Sequence, residues 1–285
     1  MDLSRFSGWL LLYRAPSTRA GYLYDLDNFC VWAEGAGVQS PGQVSYNLCL
    51  AYLAHKKESG CGANHLRRIV WALRCWLEFE LGPDHPARDL APPRAPRRRQ
   101  RSLTAQQLAC VLASCDTSTP TGIRDLALLA LLADSGLRAA EVCRLKVEDV
   151  DLAGLCLSVQ IKGGDDGAGV FSELTASYVA RWLEVRAKTA RCRNLFTSVF
   201  HGQPLTTSGL RANLRKIGKR CGLPGLSAHD FRRTFATLAT LAGAPTRVTQ
   251  VGGRWSSVAM VETYTQALNV DSFRRYSPVE FALKT

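Results

Sequence analysis

Pro86-Ala-Arg-Asp-Leu-Ala-Pro-Pro-Arg-Ala-Pro-Arg-Arg-Arg-Gln-Arg101 divides this chain in two. Its four prolines forbid a regular element and its six arginines repel one another, so the stretch is expected to run extended and exposed. It reads as a basic linker over 87–101, in which Arg97, Arg98, Arg99 and Arg101 can lie along a phosphate backbone. A purely solvated tether explains the charge run equally well.

Working outward, residues 1–86 carry a helical pattern throughout. Thr18 is placed to cap a helix in which Leu23, Leu26, Phe29, Cys30 and Trp32 recur at three- and four-residue spacing. Ser45 to Glu58 and Ala63 to Leu81 read as two more helices, with Gly35, Gly37, Gly60 and Gly62 at the joints. The expectation is a compact helical module of about four helices, moderately basic on one face.

Residues 102–285 read as a mainly α body with one small sheet, an α+β arrangement. Ser102 and Gln106 are spaced one residue too wide for a capping box. Ile123 to Asp134 is apolar enough for a buried helix, Gly136 breaks it, and Ala139 to Arg144 starts a short second one. Leu155 to Lys162 alternates as a strand, turns at Gly163-Gly-Asp-Asp-Gly167, and is expected to pair with Val170 to Leu174 as a hairpin. Helices are expected over Ala176–Lys188, Thr207–Cys221, His229–Leu241 and Val258–Leu268. In the second of these, Leu210, Leu214 and Ile217 face inward while Arg211, Arg215, Lys216, Lys219 and Arg220 occupy the other faces.

Composition narrows the class. The chain has 285 residues, 46% of them hydrophobic, enough for a core in one large or two modest domains. Its longest apolar run, Leu126 to Ala133, is far short of the ~18 residues of a membrane span. The first residues, with Asp2 ahead of the apolar stretch, do not resemble a secretory signal, so a soluble, cytoplasmic protein without membrane contact is expected. Lys plus Arg total 36 against 24 Asp plus Glu, a formal charge of +12 that favours polyanions through counterion release. The ten cysteines form no CxxC pair, so zinc spacing is excluded and most are expected to be reduced, buried small residues. Cys61 with His65 reads as coincidence.

Four clusters carry chemistry. In Asp134-Ser-Gly-Leu-Arg-Ala-Ala-Glu141, Arg138 follows a glycine turn with Glu141 three residues on. Alone this is most simply a local salt bridge. Lys162 sits by the hairpin tip, where lysines mostly serve solubility but can also donate a proton. In Ser227-Ala-His-Asp-Phe-Arg-Arg233, His229 and Arg232 share a helix face, an unfavourable pairing unless an anion lies between them. In Gly252-Gly-Arg-Trp-Ser-Ser-Val-Ala-Met-Val-Glu-Thr-Tyr264, Trp255 precedes Tyr264 by nine residues. Such a tyrosine is more often a packing aromatic than a nucleophile.

In this order, G-L-R-x-x-E, a hairpin lysine, H-x-x-R, and a glycine two residues before a Trp nine residues ahead of a Tyr, the chain resembles the tyrosine recombinase (phage integrase) family. The likeness spans both halves: 1–86 is similar to that family's core-binding domain and 102–285 to its catalytic domain. The resemblance implies a site-specific DNA recombinase that cuts and rejoins strands through a covalent phosphotyrosine, with no metal or other cofactor. It implies that Arg138 and Arg232 clamp the scissile phosphate and that Glu141 supports them. Lys162 would be the general acid, His229 an acid/base partner and Tyr264 the nucleophile. Trp255 would stand at the last His/Trp position, and Arg211, Arg215 and Lys219 would join the linker arginines on DNA. The partners implied are double-stranded DNA and further copies of the chain, four in a synapse, exchanging about 269–285, where Phe273 and Phe281 could anchor.

The residue types suit that chemistry on their own terms. Two guanidinium forks can stabilise charge on the non-bridging phosphate oxygens without a metal. A phenol of pKa about 10 becomes a nucleophile in a cationic pocket. Three departures stand out: the acidic hairpin tip, Arg233 where many members have His, and Trp255, whose indole cannot act as acid or base. The rival readings are a type IB topoisomerase and a non-catalytic DNA-binding regulator. The second leaves the full set of Arg138, Lys162, His229, Arg232 and Tyr264 without explanation.

Overall fold

Two apolar clusters, each served by its own run of helices, organise the chain into the units Met1–Arg98 and Arg99–Thr285. The structure, a computed structural model, describes residues 1–94, 101–160 and 166–265, the side chains of 166 and 263–265 excepted.

The first unit holds α1 (Ser4–Tyr13), α2 (Pro16–Gly35), α3 (Tyr46–Glu58) and α4 (Ala63–Leu81). α3 and α4 run as their sequence predicts, with Ser45 capping α3 by accepting from the Leu48 N–H. α2 starts earlier than expected: Ala15 is its N-cap and Pro16 opens it, because proline's fixed φ suits the first helical turn, so Thr18 is not the cap. Phe29 packs edge-on against Tyr52 and Trp76, with ring centroids 5.1 and 6.1 Å away. The buried Asp25 carboxylate accepts from Arg68 Nε and Nη2 at 2.6 and 2.9 Å and lies 2.9 Å from His65 Nε2. His65 therefore has a partner other than Cys61.

The expected linker is not extended along its whole length. Ala87 and Leu90 are fully buried in the first unit's core, and Arg74 donates to both their carbonyl oxygens, at 3.2 and 2.8 Å. Burial of two apolar side chains outweighs the proline signal there. Arg97, Arg98 and Arg99 lie outside the described residues.

The second unit contains α5 (Ala105–Ala113), α6 (Pro120–Ser135), α7 (Ala139–Arg144), β1 (Val150–Asp151), β2 (Cys156–Gln160), β3 (Asp166–Val170), α8 (Glu173–Arg186), α9 (Thr207–Arg220), α10 (Ala228–Leu241), α11 (Thr246–Gly252) and α12 (Val258–Thr265). α5 is capped by Thr104 with Gln107 in a true capping box, two residues after Ser102 and one after Gln106. α6 is buried nearly all round and packs against α8 and α10. The sheet is antiparallel in the order β1-β2-β3, with Cys156 opposite Val170 and Gln160 opposite Asp166.

The hairpin's return strand is thus 166–170, not 170–174. Ser172 caps α8 by accepting from the Thr175 N–H, which ends the extended run. All ten cysteines are free, but only Cys30, Cys49, Cys115 and Cys143 are buried. Fewer are core residues than the composition implied: Cys75 on α4, Cys156 on β2 and Cys61, Cys192 and Cys221 outside the helices are half-exposed, and Cys110 on α5 is exposed. Among the described residues no helix is long and apolar enough to cross a membrane.

Candidate active site

The site is built around the turn between α6 and α7. Gly136 ends α6 in the left-handed conformation, φ 59° and ψ 28°, which a glycine adopts without the steric cost other residues bear. A Cβ there would also sit 2.9 Å from Phe235 Cδ1. Two residues later Arg138 is the N-cap of α7, and Glu141 reaches back to it. The carboxylate accepts from the Arg138 backbone N–H at 2.8 Å and from its Nη1 at 2.6 Å. Glu141 is 7% exposed and Arg138 43% exposed, so the guanidinium is anchored at one edge and open at the other.

Burial pushes the Glu141 carboxyl's pKa up. The Arg138 N–H, the Arg138 guanidinium and the charge of Arg254 together outweigh it, and the net pKa lies below the usual carboxylate range.

α10 delivers the second arginine. Arg232 is buried, donates from Nη1 to the Gly136 carbonyl oxygen at 2.5 Å, and lies 4.3 Å from the centroid of the Trp255 ring. The same carbonyl that ends α6 thus fixes Arg232 beside Arg138, 94 residues distant in sequence.

One turn earlier, His229 is exposed at the start of α10. Partial desolvation and then the charges of Arg233, Arg232 and Arg138 hold its pKa below 6.5, against an opposing pull from Asp230. Asp230 is itself buried and accepts from Ser227 N at 2.9 Å and from Arg101 Nη2 at 2.9 Å, with Arg233 Nη1 3.7 Å away. Arg101, expected on DNA, is 31% exposed and donates to this aspartate and to the Pro224 carbonyl oxygen.

Trp255 is 4% exposed and stacks on Phe235 at 6.0 Å, in a small cluster with Ala236 and Val261 of α12. Gln250 Nε2 donates to its carbonyl at 3.1 Å, and a Cβ at Gly253 would fall 1.7 Å from its ring. Only glycine leaves room for the indole.

Tyr264 lies on α12, and its side chain is outside the described residues, as is the whole of Lys162. On α9, Arg211, Arg215 and Lys219 are exposed, as their spacing predicts. Among the described residues no group of three or more His, Cys, Asp or Glu side chains is arranged to hold a metal.

Sequence reasoning passed over Arg254. Its guanidinium is 3% exposed and lies 3.7 Å from Glu141 Oε2. The Gly-Gly-Arg-Trp run contains it, but nothing in that spacing shows where the side chain turns.

Two kinds of comparison bear on this arrangement. A family described as "Phage integrase family" matches residues 101–270. The tyrosine recombinase XerA of Thermococcus kodakarensis is 28% identical over 263 residues, covering 92% of this chain and 88% of that protein. The tyrosine recombinase XerD of Lacticaseibacillus casei is 27% identical, covering 90% and 89%. Among solved structures, the Tn1549 transposon integrase in complex with transposon right end DNA superposes with a TM-score of 0.74 at 17% identity, covering 97% of this chain and 98% of that one. A lambda integrase dimer bound to a core site superposes at 0.71 and 17% identity, covering 94% and 95%. At such identities the superpositions speak to the fold.

Proposed function

The chain belongs to the phage integrase family, and on that premise we propose that it is a site-specific DNA recombinase whose reaction runs through a phosphotyrosine. The observation that carries the reading is the anchoring of two arginines at the α6–α7 turn, Arg138 by Glu141 and Arg232 by the Gly136 carbonyl, with His229 near enough for both charges to lower its pKa. Glu141 holds the Arg138 guanidinium at one edge and leaves it 43% exposed, so its open edge can take a further oxyanion.

A phosphodiester is that anion. Arg138 and Arg232 hold its non-bridging oxygens, with Glu141 fixing the Arg138 fork. The Tyr264 phenol oxygen attacks phosphorus; the new O–P bond replaces the bond to the deoxyribose oxygen. That leaving oxygen takes a proton from Lys162 or His229, and the phenol proton passes to a base or water.

Because one ester replaces another, the bond energy is kept and no nucleotide is consumed. A hydroxyl from a second strand then reverses the attack, joins the strands and frees the tyrosine. Trp255 supports Arg232 by its ring face and takes no part in proton transfer.

The same reading assigns duplex contacts to residues 1–86, to Arg97, Arg98 and Arg99, and to Arg211, Arg215 and Lys219 of α9. It also places four protomers in a synapse, with the segment from about 269 exchanged between them. DNA association makes the nucleoid its place of work.

The test is incubation with a nicked suicide duplex carrying its target site, followed by denaturing electrophoresis. A covalent protein–DNA adduct is expected from the unaltered chain and none from Tyr264→Phe. No adduct from the unaltered chain, or an equal one from the variant, would overturn the assignment.

A further inference from the structure

Arg254 combines two features that each cost free energy. Its backbone sits at φ 55°, in the left-handed region where non-glycine residues are uncommon. Its side chain is a cation 3% exposed, and a buried cation is costly unless surrounded by acceptors. The acceptors are present and come from every direction. Nη1 donates to the Gly252 carbonyl at 2.9 Å, at the end of α11, and to the Ala168 carbonyl at 3.3 Å, on β3. Nη2 donates to the Ser135 carbonyl at 2.9 Å, at the end of α6, and lies 3.7 Å from Glu141 Oε2 on α7.

The strand is shaped to admit it. A Cβ on Gly169 would stand 3.1 Å from Arg254 Nη1 and 2.8 Å from Leu157 Cδ1. A glycine on β3 therefore lets the guanidinium lie against the backbone.

The segments that meet on this side chain are those to which the recombinase reading assigns the site residues. The α6–α7 turn carries Arg138, Lys162 falls in sequence between β2 and β3, and the stretch from α11 to α12 carries Trp255 and Tyr264. An apolar residue of similar volume would fill the space without a desolvation cost. What an apolar residue could not do is grip three carbonyls and a carboxylate at once.

We infer that Arg254 is a positioning residue, which through Glu141 sets Arg138 at a fixed distance from the hairpin and from the segment bearing Trp255 and Tyr264. The inference rests on the recombinase reading of this site.

The test uses the full chain on a nicked duplex, comparing Arg254→Gln, Arg254→Lys and Glu141→Gln with the unaltered protein. The Gln variant is expected to bind duplex within about threefold of normal. Its single-turnover rate of adduct formation should fall on the order of 100-fold, the effect of a misplaced reacting group. The Lys variant, keeping charge but losing the fork, should fall between. The charged groups facing Glu141 are Arg138 and Arg254, so removing the latter raises the carboxyl's pKa. The acid limb of the rate profile should then move to higher pH in Arg254→Gln, which simple loss of stability would not cause.

The double variant Arg254→Gln with Glu141→Gln should be no slower than the worse single one, because both act through the same contact. A Gln variant with normal rate and an unmoved acid limb would overturn the inference, as would strictly additive losses. If the Gln variant does not fold, the Lys variant decides: a normal rate overturns the inference and a reduced rate with normal duplex affinity upholds it. Absence of adduct from the unaltered chain would instead strike at the recombinase reading.

Discussion

Arg232 lies over the face of Trp255, 4.3 Å from the ring centroid, while its Nη1 donates to the carbonyl of Gly136, the residue at which α6 ends. The indole thus supports the cation by its π face and by excluding water, and neither requires its N–H. Trp255→Phe should keep both and lower the adduct rate no more than about tenfold. Trp255→Ala opens a cavity and should cost about 3–5 kcal/mol of stability, with cleavage largely lost. Thermal unfolding and adduct yield check the pair. If Trp255→Phe were as inactive as Tyr264→Phe, the indole would have to take part in the chemistry.

Gly136 serves two ends at once, since its left-handed backbone stops α6 and its carbonyl anchors Arg232. Gly136→Ala introduces strain at φ 59° and a contact 2.9 Å from Phe235. A loss of about 1–3 kcal/mol is expected, together with a slower adduct step at undiminished duplex affinity. An unchanged melting temperature would show that the turn relaxes freely.

The lowered pKa of His229 sets a pH dependence with a definite sign. Folding disfavours its protonation, so its contribution to stability is complete above 6.5 and is lost as pH falls through the lowered value. An imidazole titration followed by NMR should give a midpoint under 6.5 in the free protein. Bound duplex should raise that midpoint, because phosphate charge opposes Arg233, Arg232 and Arg138. A free-protein midpoint at or above 6.5 would mean that the arginines do not act on the ring as described.

Exposed Arg211 and Arg215 on α9 should act as phosphate contacts, not readers of base sequence. Each change to Ala is expected to weaken binding to all duplexes alike and to flatten the plot of log affinity against log salt by about 0.9. Fluorescence anisotropy across a salt series measures the slope. An unaltered slope in the double variant would remove α9 from the interface.

Local patterning made much of the molecule legible. Apolar spacing marked α3, α4, α7, α9 and α10 nearly to the residue, because a helix face is written in neighbours three and four positions apart. Arg138, His229, Arg232 and Trp255 stood out for a different reason, the resemblance of their order and spacing to a known family, since each cluster alone reads as ordinary packing or a local salt bridge.

Where a local signal competed with burial, burial prevailed. Ala87 and Leu90 joined the core despite the prolines around them. Tertiary structure alone decided that one carbonyl at Gly136 would serve an arginine 96 residues away, and that Arg254 would bridge α6, α7, β3 and α11. A hydrogen bond across that separation has no periodicity to betray it. It exists only where packing of α6, α10 and the sheet brings the atoms within reach, and its strength comes from the water that packing excludes.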